Sequence, residues 1–171
     1  MASENLQDLL VDVLRDTYNA EKQLVKALPR MAKAANSDEL RSAFEEHLEV
    51  TRQQVSRLEQ VFADLDVAVR GKHCPAMEGL IEEGKEVMEE DHDPEVMDAA
   101  LIAAAQKVEH YEIAAYGTLR TWAEMLGFGN AAMLLKQSLD EESEADEKLS
   151  QLAMTSVNAK AQDGSEDEDE E

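Results

Sequence analysis

An all-α fold, four long helices bundled with one long crossover between the second and the third, follows from three features of the sequence. Hydrophobic residues make up 43% of the 171-residue chain while aromatics are only 4%, so the core must be aliphatic. Gly (7) and Pro (3) are scarce, which disfavours a turn-rich β protein. Apolar residues recur at helical spacing over stretches far too long for strands. The length fits one domain, expected over residues 1–160, with an acidic, disordered tail over residues 161–171.

The first helix is predicted from residue 4 to about 35. At 100° per residue, Leu10, Leu14, Thr17, Glu21, Leu24 and Leu28 share one narrow stripe. Pro29 is expected to kink this helix rather than end it. Asn36-Ser37-Asp38-Glu39 is a stop and a restart, with a capping side chain and then acids in a first turn. The second helix runs from about 38 to 65, with the stripe Phe44, His47, Leu48, Thr51, Val55, Leu58 and Phe62. Glu45, Glu46 and Glu49 lie close to His47 in sequence but fall off that stripe.

Residues 66–93 are too long for a hairpin between antiparallel neighbours. They read as a crossover down the bundle, with a short fifth helix at about 76–90 opened by Pro75. Asp93-Pro94-Glu95 combines a cap, a proline at the first position and an acid in the first turn. The third long helix follows to about 126 and places Ile102, Ala105, Glu109, Glu112, Ile113 and Tyr116 on one face. Gly127-Phe128-Gly129-Asn130 turns the chain. The fourth helix, from about 130 to 158, carries Leu135, Leu139, Glu142, Asp146, Leu149 and Ala153 in its stripe. The two halves form a weak repeat in which Glu21 falls opposite Glu112 and Thr51 opposite Glu142.

Charge and cysteine usage exclude several classes of function. The seven acids of residues 163–171 supply less than a third of the net charge of −23, so the folded part is acidic too. Such a surface repels nucleic-acid phosphates and anionic membranes. Acids spread along the whole chain favour adaptation to a salty interior over one basic partner, and no partner for the tail is evident. A single cysteine, Cys74, rules out an internal disulfide. No window reaches 18 apolar residues and the N-terminus lacks a signal-peptide layout, so a cytoplasmic location is expected.

Carboxylates in the apolar rows of three helices are the chemical signal. An unpaired buried carboxylate is costly, so several at one depth need shared compensation. Two divalent cations supply it: carboxylates bridge them and offset their repulsion, while oxygen or imidazole ligands flank them. Ferritin-like carboxylate bundles are built on this plan. The expected metal ligands are Glu21, Glu112 and Glu142, then Glu109, Asp146 and His47. His110 points away from Glu109 and Glu112 on the helical angle and is the weaker imidazole. Tyr18, Tyr111 and Tyr116 are read as packing residues.

Over residues 4–158 the chain resembles the YciE/YciF family of ferritin-like proteins. The resemblance rests on DTYNAEKQLVKALPRMAKAA, HLEVTRQQVSRLEQVF, CPAMEGLIEEGKEV, DAALIAAAQKVEHYEIAAYGTL and LDEESEADEKL, of which CPAMEGLIEE and VEHYEIAAYGTL are the specific segments. It implies a ferritin-like four-helix bundle, a homodimer rather than a storage cage, a dinuclear iron or manganese site, and a role in stress responses; it supplies no substrate. Family members often read HLEET where this chain has HLEVT, so Val50 stands in place of a Glu, and some carry His in place of Gln54. The repeat puts Val50 opposite Glu141, which makes Glu141 an alternative to Glu142 and leaves the ligand set incomplete on the second helix. One ion in place of two, or a structural remnant, are the readings this opens.

Overall fold

The computed structural model describes residues 3–163, and no β-strand occurs among them. Helix α1 spans Leu6–Ala34, α2 Asp38–Asp64, α3 Pro75–Glu89, α4 Pro94–Met125 and α5 Gly129–Leu152. A π-helical turn, Ala153–Val157, leads into α6, Asn158–Asp163. The fourth long helix is thus interrupted where an unbroken run to 158 was expected. Helix continues through residues 161–163, three positions past the expected start of the tail; the rest of that tail lies outside the described residues.

Local chemistry sets the helix ends. Asn5 caps α1 by accepting the Asp8 amide at 2.9 Å. Helix α1 then runs through Pro29 without ending. Ser37 caps α2 through the Leu40 amide at 3.3 Å. The same turn is held from across the bundle by Asp98, whose buried carboxylate accepts the amides of Asn36 and Ser37 at 2.7 and 2.8 Å. Cys74 caps α3, with Pro75 at its first position. Asp93 begins α4, but only its carbonyl is used, accepting Met97 N at 2.8 Å; the expected side-chain cap is not made. Gly127 ends α4 at φ +83, in the left-handed region that favours glycine.

Two apolar clusters fill the bundle. One joins Leu10 and Leu14 of α1, Leu58 and Phe62 of α2, Tyr116 and Leu119 of α4, and Leu135 of α5. The other joins Leu24 and Leu28, Leu40 and Phe44, Leu101 and Ile102, and Leu149, with Met77 of α3 and its capping residue Cys74 completing it. The start of α1 therefore lies level with the end of α4, and the end of α2 with the start of α5. Each long helix is antiparallel to its neighbours, and α3 carries the crossover down the length of the bundle, packed on α1 and α4.

The buried face of α2 is rotated from the one its leucines suggest. Leu48 and Val55 lie at the edge, while Gln54, Arg57 and Val61 are buried. The polar pair is turned inward because it meets acids of α5. Buried polar side chains occupy the belt between the two apolar clusters: Thr17, Glu21, His47, Thr51, Gln54, Glu109, Glu112, Ser138 and Glu142.

Candidate metal centre

Glu109 and Glu112 lie one turn apart on α4, so both enter the belt. His47 comes from α2 and Glu142 from α5. Each of these four offers one ligand atom, and the four atoms lie within 4.8 Å of one another. Glu21 of α1 stands beside them, wholly buried, its carboxyl accepting the Tyr116 hydroxyl.

Most of the donor atoms have no hydrogen-bond partner within the described residues. They are Glu21 Oε2, His47 Nε2, Gln54 Oε1, Glu109 Oε2, both oxygens of Glu112, and Glu142 Oε2. Buried polar atoms are nearly always paired, so such a concentration in one belt needs a physical account. His47 Nε2 is 3.2 Å from Glu109 Oε1 and 3.7 Å from Glu142 Oε2, close but without hydrogen-bond alignment. A cation held by His47, Glu109, Glu112 and Glu142 would satisfy one donor atom of each at once, since divalent cations take carboxylate oxygens and imidazole nitrogens as ligands. The residues fit a metal.

The electrostatics agree with the geometry. Burial, then repulsion from Glu142, pushes the Glu21 carboxyl up to about 8. Burial also lifts Glu109 and Glu112 well above the usual carboxylate range, with Glu142 adding to both. Carboxylates forced together in a dry site hold protons unless a positive charge replaces them. Tyr116 is raised well above its ordinary value by burial and by the neighbouring acids, so it remains a hydrogen donor to Glu21.

The remaining sequence candidates lie outside the four-residue group. Asp146 is about one turn along α5 from Glu142, where it accepts Gln106 Nε2 at 3.2 Å and faces His110 Nε2 at 3.3 Å. His110 is exposed, in line with its helical angle. Glu141, the alternative to Glu142, is taken by Arg57 in a two-pronged pair of 2.8 and 2.9 Å. The three tyrosines pack in or against the core and each also donates its hydroxyl to an acid: Tyr18 to Glu59, Tyr111 to Asp16 and Tyr116 to Glu21.

Two residues escaped the sequence reading. Gln54 donates to Glu142 Oε1 at 2.5 Å and to Glu141 Oε2 at 3.1 Å. Arg57 is nearly buried and also reaches Ser138 Oγ at 2.7 Å. Gln54 lies seven residues, about two turns, beyond His47, so the helical angle could have found it. Arg57 gave no such signal, because a long charged side chain in an apolar row ordinarily reaches out to water.

Fold and site together define a helical bundle with a candidate carboxylate–histidine metal centre. Residues 5–162 match the family described as a domain of unknown function, DUF892. The chain belongs to that family. It is 51% identical over 163 residues to Protein YciF of Escherichia coli strain K12, covering 95% of this chain and 98% of the relative. The crystal structure of the E. coli stress protein YciF superposes with a TM-score of 0.88 at 51% identity, covering 91% of this chain and 99% of that one. YcfI of Rhodopseudomonas palustris, to which a structural role has been ascribed, superposes at 0.84 with 47% identity over 86% of this chain and 94% of that one. A Xanthomonas campestris protein at 24% identity shares the fold, with a TM-score of 0.73 over 91% of this chain and 95% of that one. No helix of the described residues is long and apolar enough to cross a membrane.

Proposed function

We propose that this protein is a carboxylate-bundle metalloprotein of stress defence whose belt holds iron or manganese as a dinuclear centre. One observation carries the reading: four buried donor side chains within 4.8 Å of one another, most of their donor atoms without a protein partner. Glu112 and Glu142 would bridge, Glu21 would be terminal, and Glu109 and His47 would flank. Asp146, engaged by Gln106 and His110, would stand beside the ions. Such ions supply one-electron exchange with peroxide or oxygen. The protein's own part is to hold the carboxylates in register and to keep Glu21 oriented through Tyr116. The stress role is supported by the description of the E. coli relative. By the same reading the chain works as a cytoplasmic homodimer, and its net charge of −23 supports the expectation that it binds neither nucleic acid nor anionic membrane.

A second reading, a structural or interaction protein with a vestigial site, is favoured by α2. That helix offers His47 but no carboxylate to the group, and Val50 lies in a cleft beside it. Elemental analysis of protein purified without added metal, paired with melting curves in Fe(II) or Mn(II), separates the two. Stoichiometric metal with a raised Tm supports the metalloprotein. Substoichiometric metal and an unmoved Tm would sink it. Sedimentation at micromolar concentration tests the dimer, and a gel shift at low salt tests the exclusion of DNA.

A further inference from the structure

A cleft of about 240 Å³ opens on the seam between α2 and α5. Its walls are largely apolar, with Ala43, Phe44 and Val50 on one side and Ala145 and Leu149 on the other. His47 belongs to both the cleft and the metal group: it lines the cleft, while its Nε2 sits 3.2 Å from Glu109. Glu109, Glu112 and Glu142 do not line the cleft, and each is 3% exposed or less, against 8% for His47. Larger cavities, of about 440 Å³ beside Arg52 and about 520 Å³ beside Pro29, have no member of the group in their walls.

The rim is charged. Glu46 and Glu144 stand on it with Lys148, and Lys148 of α5 pairs with Glu46 of α2 across the seam. Both partners of that pair are about half exposed or more, so parting them costs little in water.

We propose that this cleft is the route by which divalent cations reach the buried carboxylates, with His47 as its inner gate and the Glu46–Lys148 pair as its outer latch. The proposal rests on the metal-centre reading above. The ion is drawn to the acidic rim, passes the small and apolar wall residues and Glu141, whose carboxylate is held by Arg57, and meets the imidazole before Glu109, Glu112 or Glu142. Side-chain rotation of His47 then exposes the donors behind it, a motion far faster than opening the packed bundle. Val50 keeps the passage wide, because a larger side chain there would occupy it.

The test is stopped-flow loading of metal-stripped full-length protein with Mn(II), alongside equilibrium titration of the same ion. Val50→Phe narrows the cleft and should slow loading roughly tenfold, equivalent to about 1.4 kcal/mol in the barrier, with stoichiometry and affinity near wild type. Lys148→Ala opens the latch and should speed loading. Gln53→Trp, a bulky change in the wall of the separate cavity beside Arg52, should leave the rate alone. If Val50→Phe loads as fast as the parent while the parent binds Mn(II) normally, the route is wrong and the metal centre stands. If the parent binds no Mn(II), the metal-centre reading fails and the route with it. Circular dichroism on each variant confirms that a slow rate is not a folding defect, and Lys148→Ala, on the exposed rim, keeps the question open to measurement if Val50→Phe does not fold.

Discussion

Gln54 Nε2 lies 2.5 Å from Glu142 Oε1, joining α2 to α5 at the level of the metal group. The same amide nitrogen reaches Glu141, and Glu141 is gripped by Arg57. A chain of contacts thus runs from a buried guanidinium to a candidate ligand. Gln54→Leu removes the donor and leaves Glu142 with one fewer partner. Mn(II) affinity should fall about 10–100-fold, the usual effect of losing a group that orients a ligand. Calorimetric titration checks it; unchanged affinity would show that Glu142 is held by packing alone.

Metal-free protein should lose stability as pH rises. Burial, with Glu142 adding, raises the folded-state affinity of Glu21, Glu109 and Glu112 for protons above that of the unfolded chain. Their contribution is therefore fully present below the ordinary carboxylate range and is lost as pH climbs through the folded values, with Glu21 at about 8. Melting curves of chelator-treated protein at constant salt should show Tm falling from pH 5 to 9, and Glu21→Gln should flatten the upper part of that fall. Bound cation replaces the protons, so Mn(II) affinity should rise over the same window. A metal-free Tm that climbs with pH would contradict this.

Arg57 and Glu141 should be energetically coupled. The guanidinium is nearly buried, while the carboxylate side chain is 23% exposed. Removing either alone strands its partner, and removing both strands neither. A double-mutant cycle of Arg57→Ala and Glu141→Ala in urea should give a coupling energy of about 1–3 kcal/mol. A value near zero would mean that the pair is as dispensable as a surface ion pair.

Asp98 should matter to stability without touching the metal group. Its carboxylate supplies both partners for the α1–α2 turn amides. Asp98→Ala should cost about 1–2 kcal/mol, as the loss of a helix cap does, and lower Tm by about 2–8 °C. Equal Mn(II) stoichiometry in parent and variant would show the effect to be confined to the fold.

Much of the fold was legible because helical angle and chain length are local quantities. The α1 stripe from Leu10 to Leu28 is buried as read, with Glu21 in it. On α4, Ile102, Ala105, Glu109, Glu112 and Tyr116 share the buried face, and only Ile113 sits at its edge. The connection read over residues 66–93 had to be a crossover, since its length excludes a hairpin. The same angles kept Glu46 and Glu49 out of the group, and both are exposed. They could not say how two helices are rotated against each other, so the face of α2 was centred on Leu48 and Val55 instead of Gln54 and Arg57.

The sequence by itself determined that three of the four long helices would carry acids inward at one depth, because spacing along one helix decides which side chains share a face. Tertiary structure alone decided which of those acids meet. His47, Glu109, Glu112 and Glu142 converge, Asp146 is drawn aside by Gln106 and His110, and Glu141 is claimed by an arginine 84 residues away. The reason is physical: axial shift and rotation between helices are set by two apolar clusters packing above and below the belt, and that packing depends on every helix at once.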